Sequence, residues 1–273
     1  MSSLGRAKTL KVSVNTNWLN SHLRSKSLAI LDARTRQAYL KSHIPGAVHA
    51  DLFHYFVPGT DRKGLQKFHD DLARLLGRMG LTGKETVVVY ESKFGMRAAR
   101  VGWMLEYAGA HKVFLLEGGF QAWRKSHLPT EKRFEKPYQR TFRVRPVSKL
   151  IATADEIRSA RSTKVLDVRS EGEFTGNEGR DCDPRQGRVP RAQWLEWTNF
   201  LKDGKRFKTK SEMASALKEK QLSKNQTVVT YCHRGARAAS AFYALRSLGY
   251  GSVKNYIGSW HEWSARKKLP VER

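Results

Sequence analysis

Along this chain, short unbroken apolar runs alternate with longer stretches whose apolar positions recur every three to four residues. The runs "SLAILDAR" (27–34), "TVVVYES" (86–92) and "KVFLLEGG" (112–119) are rich in Val, Ile and Leu and bounded by polar residues. Such runs predict strands buried on both faces of a parallel sheet. Phe68 to Met79 and Ala236 to Leu248 carry helical spacing. Thr153 and Glu156, three apart before "IRSAR", form a capping-box pattern that marks a helix start. Strand alternating with helix predicts an α/β fold, with a parallel β-sheet flanked by helices.

The same order of blocks occurs twice. "AILDARTRQAYLKSHIPGAVHADLF" resembles the stretch from Lys164 to Trp197, "TVVVYESKFGMRAARVGWML" resembles "TVVTYCHRGARAASAFYAL", and "VFLLEGGFQAW" resembles "VKNYIGSWHEW". Three matched blocks in one order predict a duplicated domain. The expected division is a first domain over 1–130, a polar linker over 131–149 carrying two prolines, and a second domain over 150–273. The linker's basic residues read as a solvated surface.

Composition narrows this picture. With 51 Lys and Arg against 25 Asp and Glu, the net charge is +26, a surface that attracts anions. No nucleic-acid motif accompanies the charge, so nucleic acid is not the expected partner, although charge alone does not exclude it. Two cysteines make no disulfide framework, and a Cys pair is too few for a structural zinc site. Free thiols suit a reducing compartment, so the cytoplasm is expected. The amino terminus lacks an apolar run long enough for a signal peptide or a membrane span. Its basic start reads as a frayed tail rather than a presequence.

The candidate chemistry lies in "TYCHRGARAASAFYAL". Cys232 follows an apolar strand, and a helix is expected from Ala236. In an open α/β sheet, ligands bind beyond the carboxyl ends of the strands. The amides of Cys232, His233, Arg234, Gly235, Ala236 and Arg237 would curl above a helix amino terminus, a nest suited to an anion. Arg234, Arg237, His233 and the helix dipole favour the thiolate, and Gly235 permits the tight loop. Cys-x5-Arg loops cradle phosphate in tyrosine-phosphatase-like enzymes. Here the spacing is Cys-x4-Arg, one residue shorter, which suits sulfur better than a phosphoryl group.

On these residues the chain resembles a tandem-domain rhodanese-type sulfurtransferase of the thiosulfate and 3-mercaptopyruvate sulfurtransferase family, over nearly its whole length. "YLKSHIPGAVH" (39–49) is similar to the family's amino-terminal signature, and "YIGSWHEW" (256–263) to its carboxy-terminal one. The resemblance implies two tandem rhodanese-like domains with Cys232 as catalytic nucleophile. Glu91 takes the Cys place in the first copy, and the loop there is one residue longer, so that copy is expected to be silent. The implied reaction moves sulfane sulfur from thiosulfate through a Cys232 persulfide to cyanide or a thiol, with no metal or organic cofactor. 3-Mercaptopyruvate is the alternative donor, and His233-Arg234 favours the dianionic one. A sulfur-carrier or docking module using the basic surface is the alternative from another class.

Family members often carry a substrate-anchoring Arg where Glu173 stands, and a carboxylate facing the pocket would repel an anionic donor. Arg185, Arg188 or Arg191 would then supply the missing charge, with Arg191 the expected substrate contact. Trp194 and Trp197 are expected to wall the pocket. Cys182 reads as an incidental loop thiol. Asp32 with Arg34, and Asp167 with Arg169, read as structural ion pairs at strand ends.

Overall fold

The computed structural model describes residues 10–273 except 58, 135, 161 and 221. The amino-terminal tail weighed above as a presequence lies largely outside them. The first half runs β1 (Ser13–Val14), α1 (Thr16–His22), β2 (Leu28–Asp32), α2 (Arg36–Lys41), β3 (Ala47–His49), α3 (Arg62–Arg78), β4 (Thr86–Tyr90), α4 (Met96–Tyr107), β5 (Lys112–Leu116) and α5 (Gly119–Lys125). The second half runs α6 (Ala154–Ser159), β6 (Lys164–Asp167), α7 (Glu171–Thr175), β7 (Gln193–Trp194), β8 (Leu201–Lys202), β9 (Arg206–Phe207), α8 (Lys210–Lys218), β10 (Val228–Tyr231), α9 (Ala236–Ser247), β11 (Val253–Asn255) and α10 (Ser259–Ala265).

The apolar runs are parallel strands, as their continuity predicts. The first sheet is ordered β1-β5-β4-β2-β3 and the second β11-β10-β6-β7. A parallel bridge from Ile151 to Asn255 stands where β1 stands in the first sheet, so the two halves repeat one topology. Val88, Val89 and Tyr90 of β4, and Val228 and Tyr231 of β10, are buried. β8 and β9 form a short antiparallel hairpin outside both sheets.

The capping box is present at α6: Thr153 accepts the Glu156 N–H, and Glu156 accepts the Thr153 N–H. Helix α3 starts at Arg62, six residues before the apolar periodicity begins. Asp61 caps it by accepting the Gly64 N–H at 2.7 Å, and only the turns from Phe68 onward put Phe68, Leu72 and Leu76 into the core. The segment between the halves is extended and strapped along the first. Arg140 N–H donates to the Gly77 carbonyl, Arg145 N–H to Ala108 and Val147 N–H to Tyr107, each at 2.9 Å.

The halves meet along α4 and α9. A Cβ on Gly102 of α4 would lie 2.8 Å from the Tyr243 hydroxyl, so this glycine lets the helices approach. Tyr243 donates to Glu106 at 2.9 Å, and Arg246 pairs with the same carboxylate. Thr60 of the first half donates its N–H and hydroxyl to Glu262 of α10. This contact brings first-half loops to the carboxyl ends of the second sheet. No helix among the described residues is long and apolar enough to cross a membrane.

Candidate active site

Strand β10 ends at Tyr231, and the next residue is Cys232. Helix α9 begins at Ala236, where the sequence places it. Gly235 closes the turn with φ 81°. A Cβ there would stand 2.5 Å from Ile257 Cδ1 and 2.9 Å from the Ile257 carbonyl oxygen, so sterics and backbone conformation both require glycine. The Gly235 N–H donates to Cys232 Sγ at 3.1 Å. The Cys232 N–H donates to Ser259 Oγ at 3.1 Å, and the Trp260 N–H to the Cys232 carbonyl at 2.9 Å. The sulfur therefore sits at the amino end of a twelve-residue helix, with a backbone donor aimed at it.

Cys232 is only 1 % exposed, yet it borders a cavity of about 480 Å³. The second half contributes Arg180, Trp197, Cys232, His233, Arg234, Ala236 and Arg237 to the wall; the first contributes Phe53, His54, Phe56, Met96 and Arg100. Hollows of about 760 and 770 Å³ lie beside α8 and along the Thr82–Arg145 surface, and neither is lined by a cysteine.

Four arginines bring charge to this wall. Arg237 is gripped by Glu173 through bonds of 2.6 and 2.8 Å. Burial alone would raise the Glu173 carboxyl, but the guanidinium overrides it and holds the group down at about 2. Glu173 is thus an ionised partner of Arg237 and is absent from the cavity wall. Arg234 lies over the Phe56 ring at 4.4 Å and donates to Cys182 Sγ at 3.6 Å. Arg100 is 2 % exposed; it donates to the Arg234 carbonyl at 2.9 Å and to the Tyr55 carbonyl. Burial pulls its guanidinium down to about 10, with the Cys232 charge opposing that fall. Its Nε is buried with no partner among the described residues. His233 Nε2 is 3.1 Å from the Asp183 carboxylate. Burial lowers the His233 pKa in spite of that carboxylate.

The structure brings Cys232, His233, Arg234, Gly235, Ala236 and Arg237 together but not Arg191 or Trp194. Arg191 is exposed, with φ 63°, and its N–H donates to Glu272 at 3.2 Å. Trp194 donates Nε1–H to the Arg169 carbonyl at 3.0 Å. Neither lines the cavity, whereas Trp197 does. Arg185 is consumed by four carbonyls, of Trp263, Ser264, Arg266 and Leu269. Arg188 pairs with Glu272 and covers the Phe174 ring. Sequence reasoning missed Arg100. Its one signal is a cation embedded in the apolar face of "AARVGWML". Cys182 is not an isolated loop thiol, for it stands 3.8 Å from His233 Nε2. The Asp-x-Arg pairs are buried and structural: Arg34 clasps Asp32 and Arg169 clasps Asp167, each carboxylate also accepting a tyrosine hydroxyl.

The family model of the rhodanese-like domain matches residues 15–126 and again 151–266. The thiosulfate sulfurtransferase of Pseudomonas aeruginosa is 28% identical over 257 residues, covering 93% of this chain and 94% of that protein. The 3-mercaptopyruvate sulfurtransferase of Escherichia coli K12 is 27% identical over 279 residues, covering 95% and 97%. The solved structure of SseA from Escherichia coli is similar with a TM-score of 0.77 at 24% identity, covering 92% of this chain and 99% of that one.

Proposed function

Because the chain belongs to the rhodanese-like domain family and is a sulfurtransferase, we propose that it transfers sulfane sulfur from thiosulfate through a persulfide on Cys232. The Cys232 thiolate attacks the outer sulfur of the donor. The donor's S–S bond breaks, and sulfite leaves with the bonding pair. Cyanide or a thiolate then attacks the outer sulfur of the persulfide, and Cys232 returns as thiolate. No atom is oxidised or reduced beyond this exchange of one sulfur.

The observation that carries this reading is the Gly235 N–H directed at Cys232 Sγ at 3.1 Å, at the wall of a cavity with cationic side chains. A dipole and cations near one sulfur favour a thiolate and an incoming anion. Arg237 is neutralised by Glu173, so Arg100 and Arg234 are the cations assigned to the donor, with Arg180 at the rim. A dianion suits two cations better than a monoanion, which favours thiosulfate over 3-mercaptopyruvate. His233, Gly235 and Ala236 shape the wall and the loop. In this reading the second domain is catalytic and the first supplies part of the pocket. Two free thiols fit a reducing compartment, for which the cytoplasm is proposed.

Mass spectrometry of the chain after thiosulfate exposure tests the mechanism. The peptide bearing Cys232 is expected to gain one sulfur, about 32 Da, as sulfite is released. Sulfite release from thiosulfate should outpace pyruvate release from 3-mercaptopyruvate. An unmodified Cys232 peptide in a chain that turns over would sink the persulfide, and the reverse ranking would reassign the donor.

A further inference from the structure

Beside the sulfur loop, three separate segments converge with a thiol, a carboxylate and two imidazoles. We infer that Cys182, Asp183, His233 and His261 form a binding site for a borderline-soft divalent cation of the Zn²⁺ class. The ligand atoms all lie within 4.8 Å of one another. His233 Nε2 and His261 Nδ1 stand 3.1 and 3.0 Å from Asp183 Oδ1. Cys182 Sγ is 3.8 Å from His233 Nε2 and 3.9 Å from Asp183 Oδ1. Around a tetrahedral Zn²⁺, with bonds of about 2.0 Å to N and O and about 2.3 Å to S, ligand atoms stand about 3.3–3.6 Å apart. The observed separations bracket that value. The imidazole rings are 5.5 Å apart and inclined at 72°, an arrangement that lets two ring nitrogens aim at one point.

The cluster is held in place by bonds that do not depend on an ion. The His261 N–H donates to the His233 carbonyl at 3.0 Å, fixing α10's first turn to the loop. Arg185, two residues from Asp183, ties its own segment to four carbonyls around the end of α10. Such preorganisation lowers the cost of binding. The Asp183 and His233 side chains are 2 and 9 % exposed, while His261 at 28 % leaves a path inward; Cys182 is exposed.

Charge also fits. A thiolate and a carboxylate together neutralise a dication. Sulfur with imidazole selects Zn²⁺-like ions over Mg²⁺ or Ca²⁺, which prefer oxygen ligands. Without an ion, the same residues form a His–Asp–His hydrogen-bonded network, and the experiment separates the two. The site does not depend on the sulfur-transfer chemistry, and either can fail alone.

The test uses the full chain, untagged and stripped with a chelator, titrated with Co²⁺ as a spectroscopic stand-in. Expected are tetrahedral visible bands and a thiolate-to-metal charge-transfer band that saturate at one ion per chain and disappear when Zn²⁺ displaces Co²⁺. Cys232→Ser should leave both bands intact. Cys182→Ser should remove the charge-transfer band, and His261→Ala should weaken affinity by at least about tenfold. A wild-type chain without the tetrahedral spectrum would overturn the site. So would a charge-transfer band that survives Cys182→Ser, or one lost in Cys232→Ser, which would put the ion on the sulfur-accepting thiol.

Discussion

The loops after β4 and β10 hold different occupants in the same frame. In the second half, the Trp260 and His261 N–H groups donate to the carbonyls of Cys232 and His233. In the first, the Phe120 and Gln121 N–H groups donate to those of Glu91 and Ser92. Where Cys232 accepts one N–H from Gly235, the Glu91 carboxylate accepts two, from Arg97 at 2.9 Å and Ala98 at 3.0 Å. Burial raises the Glu91 pKa against those two bonds. Each loop gives its helix amino terminus an acceptor. The first copy supplies a permanent one that reaches into the first turn of α4. The second stops at a short thiol on the wall of the cavity. Under the proposed function, the occupied nest accounts for a silent first copy, and sulfur transfer belongs to the loop whose acceptor is the thiol.

The strongest test of that contrast is an exchange of occupants. Cys232→Ser is expected to abolish sulfite release from thiosulfate. Adding Glu91→Cys to that variant should restore none of it, because the first loop is longer and is not lined by the second loop's cations. Sulfite release by the double variant would show that the occupant alone separates the copies.

The next effect is on stability, at the ion pair of Arg237 with Glu173, where the first loop instead pairs Arg97 with Asp51 at 3.1 Å. Glu173→Gln leaves the Arg237 guanidinium, 15 % exposed, without its ionised partner, at a cost of about 3 kcal/mol in chemical denaturation near neutral pH. The wild-type carboxyl is held at about 2, below its ordinary 4.5. Its pairing therefore stabilises fully above about pH 4.5, and that contribution is lost as pH falls toward 2. The gap between wild type and variant should narrow over that window. A gap that stays constant down to pH 2 would mean that the carboxylate's charge contributes nothing.

Much of this frame was legible from the residues. The apolar runs are continuous because the strands are covered on both faces, so their β reading needed no tertiary knowledge. The Cys232 loop was legible too, since strand end, Gly235 and helix start are local and each constrains its neighbour. The arginines were not. Arg185, Arg188, Arg191 and Arg100 look alike in a string. Their assignments depend on where the carbonyls of α10, the Glu272 carboxylate and the α4–α9 contact lie. The neighbours of Cys182 were not legible for a similar reason. Counting cysteines ignored His233, His261 and Asp183, which only the return of the 181–187 loop brings to it. The start of α3 was missed because its first turn is capped by Asp61 rather than marked by an apolar face.

The smallest predicted effect concerns the residue the first domain lends to the second. Arg100 and Cys232 line the same cavity, and Arg100 is the first-domain cation among the lining residues. Removing its charge should disfavour a dianionic donor more than a monoanionic one, since attraction scales with the product of the charges. Arg100→Met is therefore expected to lower the ratio of sulfite release from thiosulfate to pyruvate release from 3-mercaptopyruvate by about tenfold, or about 1.4 kcal/mol. Arg100 also bridges the carbonyls of Tyr55 and Arg234, so a purely structural role would depress both reactions equally. Arg100→Lys separates the two roles, for it keeps the charge but loses the bridging fork. Recovery of the ratio by lysine assigns Arg100 to donor recognition. An unchanged ratio in the methionine variant would make it a strut between domains and leave Arg234 as the cation that selects the donor.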